Sequence, residues 1–196
     1  MKLINIWRHF YTITQHKAAV ARHCFQVGMY WQGLTHDLSK YTPAEFWQGC
    51  RYYQGFQSPN NAEREAKGYS SAWLHHKGRN KHHYEYWIDY SLKPRRCMAG
   101  MKMPLRYVNE MIMDRIAASK VYEGERYTQH SPLAYYEQGK GAYLIHEETR
   151  ELLELILHML DEHGEKKTFA YMKKYMVGKK DYPEIKKIKK IKKIEK

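Results

Sequence analysis

Residues Leu34–Phe46 read LTHDLSKYTPAEF. This one stretch holds the adjacent pair His36–Asp37, a cation at Lys40, and a helix start at Thr42–Pro43. Thr42 can cap a helix, Pro43 suits the first helical position, and Glu45 can bond back to the cap. The predicted helix runs from about residue 43 into CRYYQGF, and nothing in the stretch alternates as a strand would. Metal-capable side chains therefore sit on a turn that leads into a helix.

Outward from this turn the helical period continues. In ITQHKAAVARHCFQVGMY, residues 13–30, the side chains His16, Val20, His23 and Val27 fall on one helix face. NAEREAKGYSSAWLHHKG, residues 61–78, reads as helix with a soft spot at Gly68. Pro104 opens a helix through PLRYVNEMIMDRIAASKVY, and Ser131–Pro132 starts a short one. HEETRELLELILHMLDEHG has early acids, a continuous apolar stripe and a stop at Gly164; a last helix covers KKTFAYMKKYM. GFQSPNN and KPRRCMAGMKM read as loops. No strictly alternating run stands out. The expected fold is all-α, a single helical domain over residues 1–177 followed by a lysine-rich tail, residues 178–196, that is disordered or a frayed helix.

The chain has 196 residues and a formal net charge of +13, of which the last eighteen residues supply nine lysines against three acids. The remaining basic surface suits an anionic partner such as a nucleotide, a nucleic acid or phosphate; basic surfaces also serve solubility. The three cysteines, Cys24, Cys50 and Cys97, form no CxxC pair, so a cysteine-based zinc site is not expected. Free thiols, an N-terminus without a signal-peptide run and the absence of a stretch of about twenty apolar residues point to a cytoplasmic protein without a membrane span.

The histidines cluster. Besides His16, His23 and His36, the segment HHKGRNKHH places His75, His76, His82 and His83 close together. Asp114 lies in a helix otherwise rich in Met, Ile and Ala, with Glu110 one turn earlier. A carboxylate on an apolar helix face is costly unless paired or bound to metal. Imidazoles and carboxylates together suit a divalent transition metal, one or two ions of Mn, Fe, Zn or Ni. A lone histidine on an apolar face is more often an ordinary core or surface residue, and a doubled pair can be a surface patch. It is the joint order His, His-Asp, His, His, Asp that chance explains poorly.

That order resembles the HD superfamily of metal-dependent phosphohydrolases. HDLSK resembles the His-Asp-Ile-Gly-Lys signature of the HD-GYP cyclic-dinucleotide phosphodiesterases, and HKAAV resembles the histidine of the superfamily's first helix. WLHHKGRNKHHYEYW occupies the place of the family's His-His-Glu segment, and EMIMDRIAA resembles the later helix with the last aspartate. The chain is also similar to a small bacterial and phage family that shares a His-Asp-Leu-Ser-Lys-Tyr core. The match covers about residues 10–120 and implies an HD-like bundle with additional C-terminal helices. The signature glycine is Ser39 here, the Gly-Tyr-Pro triplet is absent, and His16 stands only twenty residues before His36. His23 is the alternative to His16 as first ligand.

The resemblance implies that His16, His36 and Asp114 hold one metal, and that Asp37 bridges to a second held by His76 with His82 or His83. Two metals there could polarise a phosphoryl oxygen, with Lys40 meeting the phosphate charge. Asp37 and Lys40 are the expected catalytic residues. Asn80, Arg79 and Arg115, with Lys40, are candidates for substrate contact, and Arg106 is a further one. Tyr41, Trp73, Tyr84 and Trp87 could stack on a base or belong to the core and rim. Glu85 and Glu110 could orient histidines. The expected activity is hydrolysis of a nucleotide or cyclic nucleotide phosphoester. Two alternatives are an HD-type di-iron oxygenase, and a non-enzymatic basic nucleic-acid-binding protein with a structural metal.

Overall fold

The computed structural model describes residues 2–92 and 97–184. Helix α1 (Leu3–Val27) is unbroken, and it stops where Gly28 adopts φ 89° and returns its N–H to the carbonyls of Cys24 and Phe25. That left-handed conformation costs a glycine nothing. The expected stripe of α1 is its buried face: His16, Val20, His23 and Val27 all point inward, joined by His9 and Ile13.

Short elements follow: α2 (Tyr30–Thr35), a 3-10 turn (Leu38–Tyr41), α3 (Pro43–Arg51), α4 (Pro59–Lys67) and α5 (Ser71–Lys77). The helix expected over 61–78 is two helices, because Gly68 takes φ 80° and ends α4. Ser70 then caps α5 by accepting from the Trp73 N–H. The buried Glu63 carboxylate accepts from the Ser70 and Ser71 hydroxyls at 2.7 Å each, which locks α4 to α5. A small antiparallel hairpin, β1 (Ile88–Tyr90) with β2 (Met98–Gly100), corrects the loop expected across 93–103.

The core forms where α6 (Leu105–Glu123), α7 (Ser131–Gly139) and α8 (Glu147–Tyr175) close on α1. Val108, Ile112 and Ile116 of α6 and Leu153, Ile156 and Leu160 of α8 have no exposed surface. Each such side chain contributes about 1.5–3 kcal/mol on burial. Gly164 breaks α8 with φ 74° and ψ 172°, so the two expected helices run on either side of it as one bent element. The fold is all-α apart from the hairpin, and no helix of the described residues is long and apolar enough to cross a membrane.

Tyr182 lies within the expected tail, yet its hydroxyl donates to the Met103 carbonyl at 2.6 Å and meets Thr149 Oγ1 at 2.9 Å. The body therefore extends past residue 177. The expected disorder of the tail otherwise falls on residues 185–196, outside the described residues.

Candidate metal centre

Five pieces of chain meet at one buried point. Helix α1 brings His16, the junction after α2 brings His36 and Asp37, α5 brings His76, the turn after it brings His82 and His83, and α6 brings Asp114. Asp37 lies at the centre. Its Oδ2 faces His16 Nε2 at 3.6 Å and His36 Nε2 at 3.3 Å, and Asp114 Oδ1 lies 2.9 Å from the same His16 nitrogen. Its Oδ1 faces His76 Nε2 at 3.3 Å and His82 Nε2 at 3.4 Å. The Nε2 atoms of His76 and His83 approach to 2.9 Å. Two ligand sets thus share one carboxylate: His16, His36, Asp37 and Asp114 on one side, and Asp37, His76, His82 and His83 on the other.

Each set is aimed from behind. Glu110 Oε1 accepts from His36 Nδ1 at 3.0 Å and lies 3.1 Å from His82 Nδ1. Glu45 Oε2 accepts from His76 Nδ1 at 2.7 Å, while its Oε1 accepts from His75 Nδ1 at 2.7 Å. An imidazole whose Nδ1–H is held by a carboxylate presents its Nε2 lone pair inward, which is how metal-binding histidines are oriented. The role expected for Glu45, a bond back to the Thr42 cap, is corrected by this contact. Thr42 also does not cap: its hydroxyl donates to the Ser39 carbonyl at 2.6 Å. The doubled pairs resolve differently. On α5 only His76 turns inward, whereas His82 and His83 lie off any helix and both reach the cluster.

The buried Nε2 atoms of His16, His36 and His82 and both oxygens of Asp37 have no hydrogen-bond partner. Buried polar atoms without partners cost about 1–3 kcal/mol each, more for charged groups. Five converging on one point is a donor set for a cation, and nitrogen and oxygen donors together fit Mn, Fe, Zn or Ni. The charges agree. Burial pushes the Asp37 carboxyl up, but His36, Lys40 and His76 hold it well below the ordinary range. Asp114 is likewise held well below, by His16 and His36 against its burial. Burial lowers the His36 pKa, yet Asp37, Asp114 and Glu110 raise it well above the usual histidine value. In His83, burial and the neighbouring His82 and His76 depress it.

The backbone is bent to make this possible. Asp37 sits at φ 53°, the one non-glycine residue in the left-handed region among the described residues. Such conformations persist where surrounding contacts enforce them. Lys17 supplies two of these contacts, donating to the Leu34 carbonyl at 2.6 Å and the His36 carbonyl at 2.9 Å. Lys40 supplies another, with its Nζ 2.6 Å from Asp37 Oδ2. Burial opposes the Lys40 charge, but Asp37 and Asp114 raise its pKa above the usual lysine value. Nothing in the sequence singled out Lys17, which reads as one more polar residue on α1.

The remaining expected residues lie around this centre or away from it. His23 is elsewhere, with its Nε2 3.1 Å from Lys120 Nζ and its ring against Phe169. Asn80 Nδ2 donates to Ser39 Oγ at 2.7 Å and to the His76 carbonyl at 2.8 Å, so it ties the two ligand turns together. Arg79 is exposed, and Arg106 folds over Tyr107. Arg115 lies over the rings of Tyr136 and Tyr143. Trp73 packs on His83 and His76, Tyr84 on Tyr143, and Tyr41 on Phe10. Trp87 Nε1 donates to the Lys81 carbonyl, on the turn that carries His82 and His83. Glu85 holds no histidine: burial raises its pKa, and one carboxylate oxygen is unpartnered.

A helical protein whose buried histidines and aspartates are arranged to hold a metal is the class that this geometry defines. The chain belongs to DUF5662, a family of unknown function, whose sequence model matches residues 5–159. That span contains every residue of the cluster and ends within α8. No curated protein and no solved structure matches the chain.

Proposed function

We propose that the protein is a metal-dependent phosphohydrolase of the HD type, acting on the phosphoester of a nucleotide or cyclic nucleotide. The observation that carries this reading is the placement of Asp37, whose two oxygens face two separate histidine sets. A structural metal site closes with four ligands and has no use for a bridging carboxylate. Divalent ions held by these two sets would polarise a phosphoryl oxygen and lower the pKa of an attacking water. The chain's own groups do the rest. Glu110 and Glu45 fix the ring orientation of His36, His82 and His76, and the buried setting excludes bulk water. Lys40 stands beside Asp37 with its side chain about a quarter exposed, at 28%, and can reach an incoming phosphate. Its charge would stabilise the negative charge that builds in the transition state.

The test is turnover of bis-p-nitrophenyl phosphate and of cyclic nucleotides by protein loaded with Mn or Fe. Lys40→Ala should lower turnover by roughly a hundredfold while the metal content stays unchanged. Oxygen consumption by iron-loaded protein with no phosphoester cleavage would contradict the hydrolytic reading and favour an oxidative one.

A further inference from the structure

The surface built from residues 2–62 is unusual in its charges. Its only carboxylates are Asp37 and Glu45, and both are buried in the metal centre. Lys2, Arg8, Arg22 and Arg51 are exposed on the same segment. Among the described residues none of these four has an acidic partner. The first exposed carboxylate in the sequence is Glu65, which accepts from Gln57 and marks the edge of this face.

The same surface carries exposed rings. Leu3, Trp7, Phe10 and Tyr11 are 80, 72, 43 and 63% exposed, and their spacing makes one stripe along α1. Beside the stripe lies an open cleft of about 700 Å³, lined by Arg8 and Arg51 together with Asn5, Tyr53 and Gln54. At its other end, Phe10 meets the Tyr41 ring edge-on at 6.0 Å, on the turn that holds Lys40.

We propose that this α1–α3 face binds single-stranded nucleic acid, with bases stacked on the α1 rings and phosphates against Arg8 and Arg51. Rings interleaved with unpaired cations are what an unpaired strand needs, since every base has a face to stack and every phosphate a charge to meet. A second copy of the chain fits less well. Two such faces pressed together would bury arginines with no carboxylate opposite them. A lipid surface would not use the polar amides that line the cleft. The proposal concerns binding alone and does not depend on hydrolysis at the metal centre.

The test is fluorescence anisotropy of a labelled oligothymidylate of about 16 nucleotides with the full chain, in chelator so that the metal centre plays no part. The expected result is saturable binding whose log affinity falls linearly with log salt. Trp7→Ala with Tyr11→Ala should weaken it at least about tenfold, with the helical circular dichroism unchanged. Arg8→Ala with Arg51→Ala should lower the salt slope by roughly two. As a conservative second check, Trp7→Phe should keep the affinity while losing part of the tryptophan quench seen in the parent. Undiminished binding in both double variants would assign it to the lysine tail and overturn the proposal. So would absence of oligonucleotide binding, whether accompanied by binding to phosphatidylserine vesicles or by a dimer that the Trp7→Ala, Tyr11→Ala pair dissolves.

Discussion

At the scale of single residues, one carboxylate often serves two partners. Glu110 is buried in α6 and holds the Nδ1 atoms of both His36 and His82, which belong to opposite halves of the centre. Glu110→Gln keeps the shape but weakens the acceptor and frees the ring tautomers. It should reduce metal affinity about 10–100-fold with the fold retained, measured by competition with a chromogenic chelator. Glu63 does comparable work away from the centre. Burial pushes its pKa up, but the Ser71 and Ser70 hydroxyls and Lys67 outweigh this and lower it from 4.5 to about 2. A depressed carboxylate pKa stabilises the fold above the unfolded value and loses that stability as pH falls through the folded one. Glu63→Gln should therefore cost about 1–3 kcal/mol at neutral pH, and the gap to the parent should close as pH drops from 4.5 towards 2 in thermal melts.

At the scale of elements, the helical periods were legible because each long helix buries one face. The buried stripe of α1 and the apolar run of α8 need no knowledge of their neighbours. What stayed hidden depended on distant partners. Glu45 follows Thr42 at capping distance in sequence, yet its carboxylate goes to His75 and His76, thirty residues further on. Lys17 clamps carbonyls on another element, and an exposed-looking helix lysine carries no sign of that. The hairpin has three residues per strand, too few to show alternation. His16 and His23 share a face and differ in what α6 and α8 bring to meet them, so spacing alone left both open. Contact between α1 and α3 rests on a glycine: a Cβ at Gly49 would fall into the His9 ring. Gly49→Ala should cost about 1–3 kcal/mol, and His9→Ala in the same chain should recover part of it in urea titrations.

At the scale of the whole molecule, the centre exists only when the bundle is closed. Its ligands come from α1, the turn after α2, α5, the turn after it and α6, so no fragment holds more than part of the set. Metal binding and folding are therefore coupled, and loading should raise the melting temperature. Asp37 is the one ligand common to both halves, which makes it the place to test the account. The deciding measurement is metal content by elemental analysis, on the parent and on Asp37→Ala, each purified without chelator. The account predicts about one or two equivalents of transition metal in the parent and a clear loss in the folded variant. A parent that holds no metal even after reconstitution with Mn, Fe, Zn and Ni would contradict it.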